Sequence, residues 1–128
     1  MANVLVVDDE PMLRRTFRAI LEQAGHVVVE AEDGARAIAL FSAHKPDLVI
    51  TDIIMPNREG GEFISEMRRQ DREVPIIAIS GGGSTGGEMF LTLASRLGAT
   101  RTLHKPIRQA ALLEAVDACL SPPRPAAT

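Results

Sequence analysis

The chain of 128 residues contains no Trp, no Tyr, a single Cys and only four Phe. Each scarcity removes a class of function. Stacking on nucleic-acid bases or on a flavin ring draws on Tyr and Trp, and neither is available. The lone Cys119 has no internal disulfide partner, which fits a reducing compartment, and it reads as a small hydrophobe near a helix end. Long apolar runs are missing as well: stretches such as 4–7 are far too short to span a bilayer. The opening Met1-Ala2-Asn3 lacks the charged and apolar regions of a signal peptide. Nor is there an excess of positive charge. With 14 Lys and Arg against 17 Asp and Glu the formal charge is -3, which argues against broad contact with phosphate backbones. A cytoplasmic protein is expected, without membrane insertion and without direct nucleic-acid binding.

What the chain does have is enough apolar material for one core: 45% of its residues are hydrophobic, and the length suits a single domain. Short apolar runs alternate with helical patterns, the sequence form of a parallel sheet covered on both faces. Strands are predicted at 4–7, 27–29, 48–50, 76–79 and, more weakly, 102–103. The first helix carries Leu13, Phe17, Ile20, Leu21 and Ala24 at spacings of three and four, with Pro11 in its first turn and Gly25 at its end. Arg14, Arg15 and Arg18 fall off that stripe and read as a solvated face or, alternatively, a docking surface for a partner protein. Further helices are predicted at about 34–43, 61–70, 87–97 with Gly98 as C-cap, and 108–120. Residues 121–128 hold three prolines and no apolar periodicity, and are expected to be a disordered tail after a domain spanning 1–120.

In an open parallel sheet ligands bind where the strands end. The predicted strands end in Asp8-Asp9, Asp52, Ser80 and Lys105-Pro106. Any one of these has a bland explanation, an N-cap for Asp8 or Asp9, a loop residue for Ser80 or Lys105. Together they bring three carboxylates, a hydroxyl and an ammonium to one edge. Two unit charges about 4 Å apart repel by about 4 kcal/mol at an effective dielectric of about 20, so either a cation sits among the carboxylates or one of them holds a proton. Lys105 answers one charge, which leaves room for a divalent ion. An all-oxygen donor set suits Mg²⁺, whereas Zn²⁺ would want His or Cys. His26 and His44 lie away from this edge and read as surface residues, and His104 points away from Lys105 along an extended strand.

Four segments, in this order and at these spacings, spell a known pattern: Val4-Leu5-Val6-Val7-Asp8-Asp9-Glu10-Pro11, Pro46-Asp47-Leu48-Val49-Ile50-Thr51-Asp52-Ile53-Ile54-Met55-Pro56, Ile76-Ile77-Ala78-Ile79-Ser80-Gly81, and Gly98-Ala99 leading to His104-Lys105-Pro106. Over residues 3 to about 120 the chain resembles the receiver domains of two-component response regulators, of the stand-alone type. The resemblance implies an α/β, doubly wound, flavodoxin-like fold with a five-stranded parallel sheet of order 2-1-3-4-5. It implies that Asp52 is the phosphoacceptor, phosphorylated by a sensor histidine kinase or histidine phosphotransfer protein. It further implies that Asp9, Asp52 and the backbone carbonyl of Ile54 bind Mg²⁺ directly and Asp8 through water. Ser80 and Lys105 would hold phosphoryl oxygens, and Pro106 would follow a cis bond that aims the lysine. The expected activity is a signalling switch, acting on an unknown downstream protein or as a phosphorelay intermediate or sink, and not a multiple-turnover enzyme.

The sequence departs from the family pattern at Thr102, three residues before the lysine, where an aromatic ring often reports phosphorylation; the switch position here carries a smaller side chain. The loop 81–87 holds five of the ten glycines and formally matches G-x-G-x-x-G, but neither a ribose-binding acid nor a Walker lysine accompanies it. It reads as a loop that orders on phosphorylation. Apolar residues wrap much of the helix predicted at 87–97, which suggests a partner surface or a homodimer through the face of the fourth helix, fifth strand and fifth helix. Rival readings are a receiver fragment of a longer regulator, an Asp-dependent phosphate-ester hydrolase and a flavin-binding protein of the same fold.

Overall fold

The structure, a computed structural model, describes residues 2–52, 60–80 and 98–120, without the side chains of residues 60–62 and 80. The helix expected at 87–97, the glycine-rich loop, the carbonyl of Ile54, the side chain of Ser80 and the tail 121–128 therefore lie outside the described residues.

Five strands, β1 (Asn3–Val7), β2 (Val27–Ala31), β3 (Leu48–Asp52), β4 (Ile76–Ser80) and β5 (Arg101–His104), form one parallel sheet of order β2-β1-β3-β4-β5. They exceed the predicted runs by one or two residues at an end, because the ladder takes in polar neighbours that carry no apolar signal. β1, β3 and β4 are the inner strands, their apolar runs lack alternation, and from Val4 to Val7, Leu48 to Asp52 and Ile76 to Ile79 every residue is buried.

Four helices are described: α1 (Pro11–Gln23), α2 (Gly34–His44), α3 (Gly60–Gln70) and α4 (Gln109–Leu120), the last being the fifth expected from the sequence. Pro11 opens α1 at a position where its missing N–H costs nothing. Asp33 caps α2, its carboxylate accepting from the Arg36 N–H at 2.8 Å, and Lys45 ends that helix in the left-handed region at φ 47°.

The sheet separates two apolar clusters. Leu5, Val7, Val49, Ile76 and Ala78 face α2 and α3, meeting Phe41, Phe63, Ile64 and Met67. Val4, Val6, Leu48, Ile50, Ile77 and Ile79 face α1 and α4, meeting Phe17, Leu21, Leu112 and Val116. The three described Phe residues are thus all core residues, and Cys119 packs at the edge of the second cluster as a hydrophobe.

Candidate functional site

Register places the polar strand ends. Val7 pairs with Thr51, so Asp8, one step on, stands level with Asp52; Ser80 pairs with His104, so Lys105 follows immediately beyond the sheet. Side chains alternate between faces along a strand. Residues 4, 6 and 8, residues 48, 50 and 52, and residues 103 and 105 therefore share the α1/α4 side, on which Val4, Leu48 and Leu103 pack. His104 is exposed, on the other parity from Lys105. Thr102 is half-buried and pairs with Ala78, a residue of the α2/α3 cluster.

The result is a compact acid cluster. One oxygen from each of Asp8, Asp9 and Asp52 lies within 4.8 Å of the others. Asp8 is 1% exposed and Asp52 3%, while Asp9 is open to solvent. Lys105 reaches into the group from β5: its Nζ donates to Asp52 Oδ2 at 2.9 Å and pairs with Asp8 Oδ2 at 3.4 Å. Glu10, to which the sequence reading assigned no role, contributes a fourth carboxylate at 3.6 Å from the same Nζ. Its place in the chain, next to Asp9 and just ahead of Pro11, was the available signal.

Neither Asp8 nor Asp9 caps α1. The N-cap residue is Glu10, which makes no side-chain cap bond; Asp8 Oδ1 instead accepts the Glu10 N–H at 2.8 Å. Burial pushes the Asp8 carboxyl up to about 6; the charge of Asp52 adds to the rise, against the Glu10 N–H and Lys105. For Lys105 burial pulls down, but the hydrogen bond and charge of Asp52, with Asp8 behind it, outweigh burial and hold the ammonium above its ordinary value. The Lys105–Pro106 peptide is cis.

Hard oxygen donors, one of them unsatisfied, are what a divalent cation meets here. Asp8 Oδ2 is fully buried and makes no hydrogen bond, its ion-pair distance to Lys105 notwithstanding. The cluster contains no His or Cys, so the donor set fits Mg²⁺ and not Zn²⁺. A cavity of about 210 Å³ lined by Asn3, Val27, Leu40, His44 and Pro46 lies at the opposite ends of β1 and β2 and shares no residue with this cluster.

The sequence matches the response regulator receiver domain over residues 4–117. The chain belongs to that family. It is 35% identical to the chemotaxis protein CheY of Halobacterium salinarum, over 93% of this chain and 97% of that one. It is 32% identical to protein PilH of Pseudomonas aeruginosa, over 94% and 99%. Among solved structures, chemotaxis protein CheY4 of Vibrio cholerae superposes with a TM-score of 0.84 at 31% identity, covering 94% of this chain and 99% of that one. The receiver is thus a phosphorylation-dependent signalling switch, and receivers act with histidine kinases or phosphotransfer proteins and with downstream targets. The match is to the receiver reading and not to the hydrolase or flavin-binding one. No helix among the described residues is long and apolar enough to cross a membrane.

Two features depart from the sequence reading. Arg14 and Arg18 are not a merely solvated face: both bind Glu30 of β2, at 3.1 and 2.7 Å, and Arg14 Nη1 also donates to the carbonyl of Asp8 at 2.6 Å. The pattern of α1 alone had no means of naming Glu30 as their partner, since it comes from another element. His26 is half-buried, its Nδ1 accepting from the Ala2 N–H at 3.2 Å, whereas His44 is exposed.

Proposed function

We propose that Asp52 accepts a phosphoryl group from a phosphohistidine of a sensor histidine kinase or histidine phosphotransfer protein. The loaded chain then signals through protein contacts, or serves as a phosphorelay intermediate or sink. One observation carries the reading: a carboxylate that is 3% exposed, among two further acids, bound at 2.9 Å by an ammonium from a different strand. A carboxylate oxygen of Asp52 forms the new O–P bond as the P–N bond breaks, and the bonding pair leaves with the imidazole nitrogen. Charge spreads over three equatorial oxygens in this transfer, so the protein supplies mostly position and positive potential.

Lys105 turns from Asp52 Oδ2 to a phosphoryl oxygen, and the hydroxyl of Ser80 takes another. Asp9, Asp52 and the Ile54 carbonyl would hold Mg²⁺ directly, with Asp8 through water, and the ion would supply positive charge to the transferred group. The acyl phosphate hydrolyses readily, so the chain resets once per phosphorylation and is no multiple-turnover enzyme. Thr102 is the switch position and Pro106 a structural residue of the site. The domain is taken as 1–120 with 121–128 as a tail, in a cytoplasmic setting, without nucleic-acid or membrane contact. Pairing of two copies through the face of the helix expected at 87–97, β5 and α4 is part of the same reading, and sedimentation with and without beryllofluoride tests it.

The central test is phosphotransfer from a panel of histidine kinases to wild type and Asp52→Asn. Wild type takes label only with Mg²⁺ present, and the Asn variant takes none. Label that persists in the variant removes Asp52 from its role.

A further inference from the structure

Between the end of β1 at Val7 and the start of α1 at Pro11, residues 8–10 carry three acids with no ladder or helix to hold them. Besides the Asp8 Oδ1 bond from the Glu10 N–H at 2.8 Å and the Glu10 carbonyl bond from the Arg14 N–H at 3.1 Å, two bonds at the Asp8 main chain fix them. The Asp8 N–H donates to the Ala31 carbonyl at 3.1 Å, and the Asp8 carbonyl accepts from Arg14 Nη1 at 2.6 Å. That carbonyl belongs to the peptide joining Asp8 to Asp9. A guanidinium fixed on it sets the plane of the peptide, and the plane sets where the Asp9 carboxylate starts from relative to Asp8 and Asp52.

Arg14 is itself held. Its side chain is 16% exposed, and its Nε donates to Glu30 Oε1 at 3.1 Å, while Arg18 Nη1 takes Glu30 Oε2 at 2.7 Å. Burial raises the Glu30 carboxyl, but hydrogen bonds from Arg18 and then Arg14 outweigh it and hold the group below its ordinary value. The guanidinium fork spans two targets in different directions, one on β2 and one after β1, through separate nitrogens held in one rigid plane.

We propose that Arg14 is a positioning residue for the Asp52 site, orienting the Asp8–Asp9 peptide so that the acids converge on a divalent cation, and that Glu30 acts through Arg14. The inference rests on reading the acids as a Mg²⁺ site.

The test uses the whole 128-residue chain and needs no phosphoryl donor. Mg²⁺ dissociation constants are measured by calorimetry for wild type, R14Q, R14K, E30Q and R14Q/E30Q, with melting temperatures in EDTA alongside. R14Q weakens Mg²⁺ binding about tenfold, the scale seen when a group that orients metal ligands is lost, and R14K recovers part of it. E30Q weakens binding by a smaller factor, and the double variant binds no worse than R14Q, since Glu30 has nothing left to act through. Should R14Q lower the melting temperature yet keep a Mg²⁺ constant within twofold of wild type, the contact is a structural tie only and the proposal is overturned. If R14Q does not fold, E30Q decides by the same twofold criterion. A wild-type chain that takes up no Mg²⁺ overturns the reading of the acids and this inference with it; normal uptake with an indifferent R14Q overturns this inference alone.

Discussion

Burial and charge oppose each other at Asp8, whose carboxyl is pushed up to about 6 by desolvation and by Asp52. The folded chain holds that proton more tightly than the unfolded one, so raising the pH from about 4 to about 6 costs stability in the absence of metal. Asp8→Asn removes the penalty. In EDTA at pH 7.5 it is expected to be more stable than wild type by about 1 kcal/mol, with the gap closing near pH 4, by urea denaturation. Added Mg²⁺ should stabilise wild type more than the variant, which keeps the direct ligands but loses one acid behind them. Glu30 has the opposite sign. Its folded pKa lies below the unfolded value, so its pairing contributes above about pH 4.5 and is lost as pH falls through the lowered value. Glu30→Gln is expected to cost roughly 0.5–1 kcal/mol at pH 7 and progressively less as pH falls below about 4.5, read from the same urea denaturation. Asp8, Asp9, Asp52 and Lys105 were legible in the sequence because they end strands; Glu30 was not, because it sits within β2 and acquires meaning only when α1 packs on it.

At the scale of elements, residues 98–100 ahead of β5 are tied to α3 and β4. Arg68 donates to the Gly98 carbonyl through Nε at 3.0 Å and Nη2 at 2.8 Å, and Thr100 closes on Ile76 in both directions, its N–H donating at 2.7 Å and its Oγ1 accepting at 3.0 Å. Gly98 stands at φ +117°, and a Cβ there would meet Arg68 Nε at 3.0 Å. Gly98→Ala therefore combines backbone strain with a displaced guanidinium, and a loss of about 1–3 kcal/mol is expected by chemical denaturation. Gly25, also at positive φ but with nothing within 4 Å of a Cβ, should lose only the backbone part. The sequence offered Gly98 only as a helix C-cap; the Arg68 tie is invisible in sequence, since 30 residues separate its partners.

Across the whole molecule, one sheet serves two cores. Ile64 is fully buried on the α3 side and Leu112 on the α4 side. Truncating either to Ala is expected to cost about 2–5 kcal/mol, and because both clusters share β1, β3 and β4, far-UV and near-UV signals should still melt together. Separate transitions for the two variants would show cores that fold independently. The sequence by itself determined the alternation of strands and helices, the burial of the inner strands and the acids that end them. These are carried by apolar period and by position along one segment, which are local properties. Only the tertiary structure decided that Glu10 joins the lysine, that Asp8 keeps an unsatisfied buried oxygen, and that Arg14 ties Glu30 to the Asp8 carbonyl. Each depends on strand register and on which helix packs where, so the partner comes from a stretch of chain whose own pattern says nothing about it.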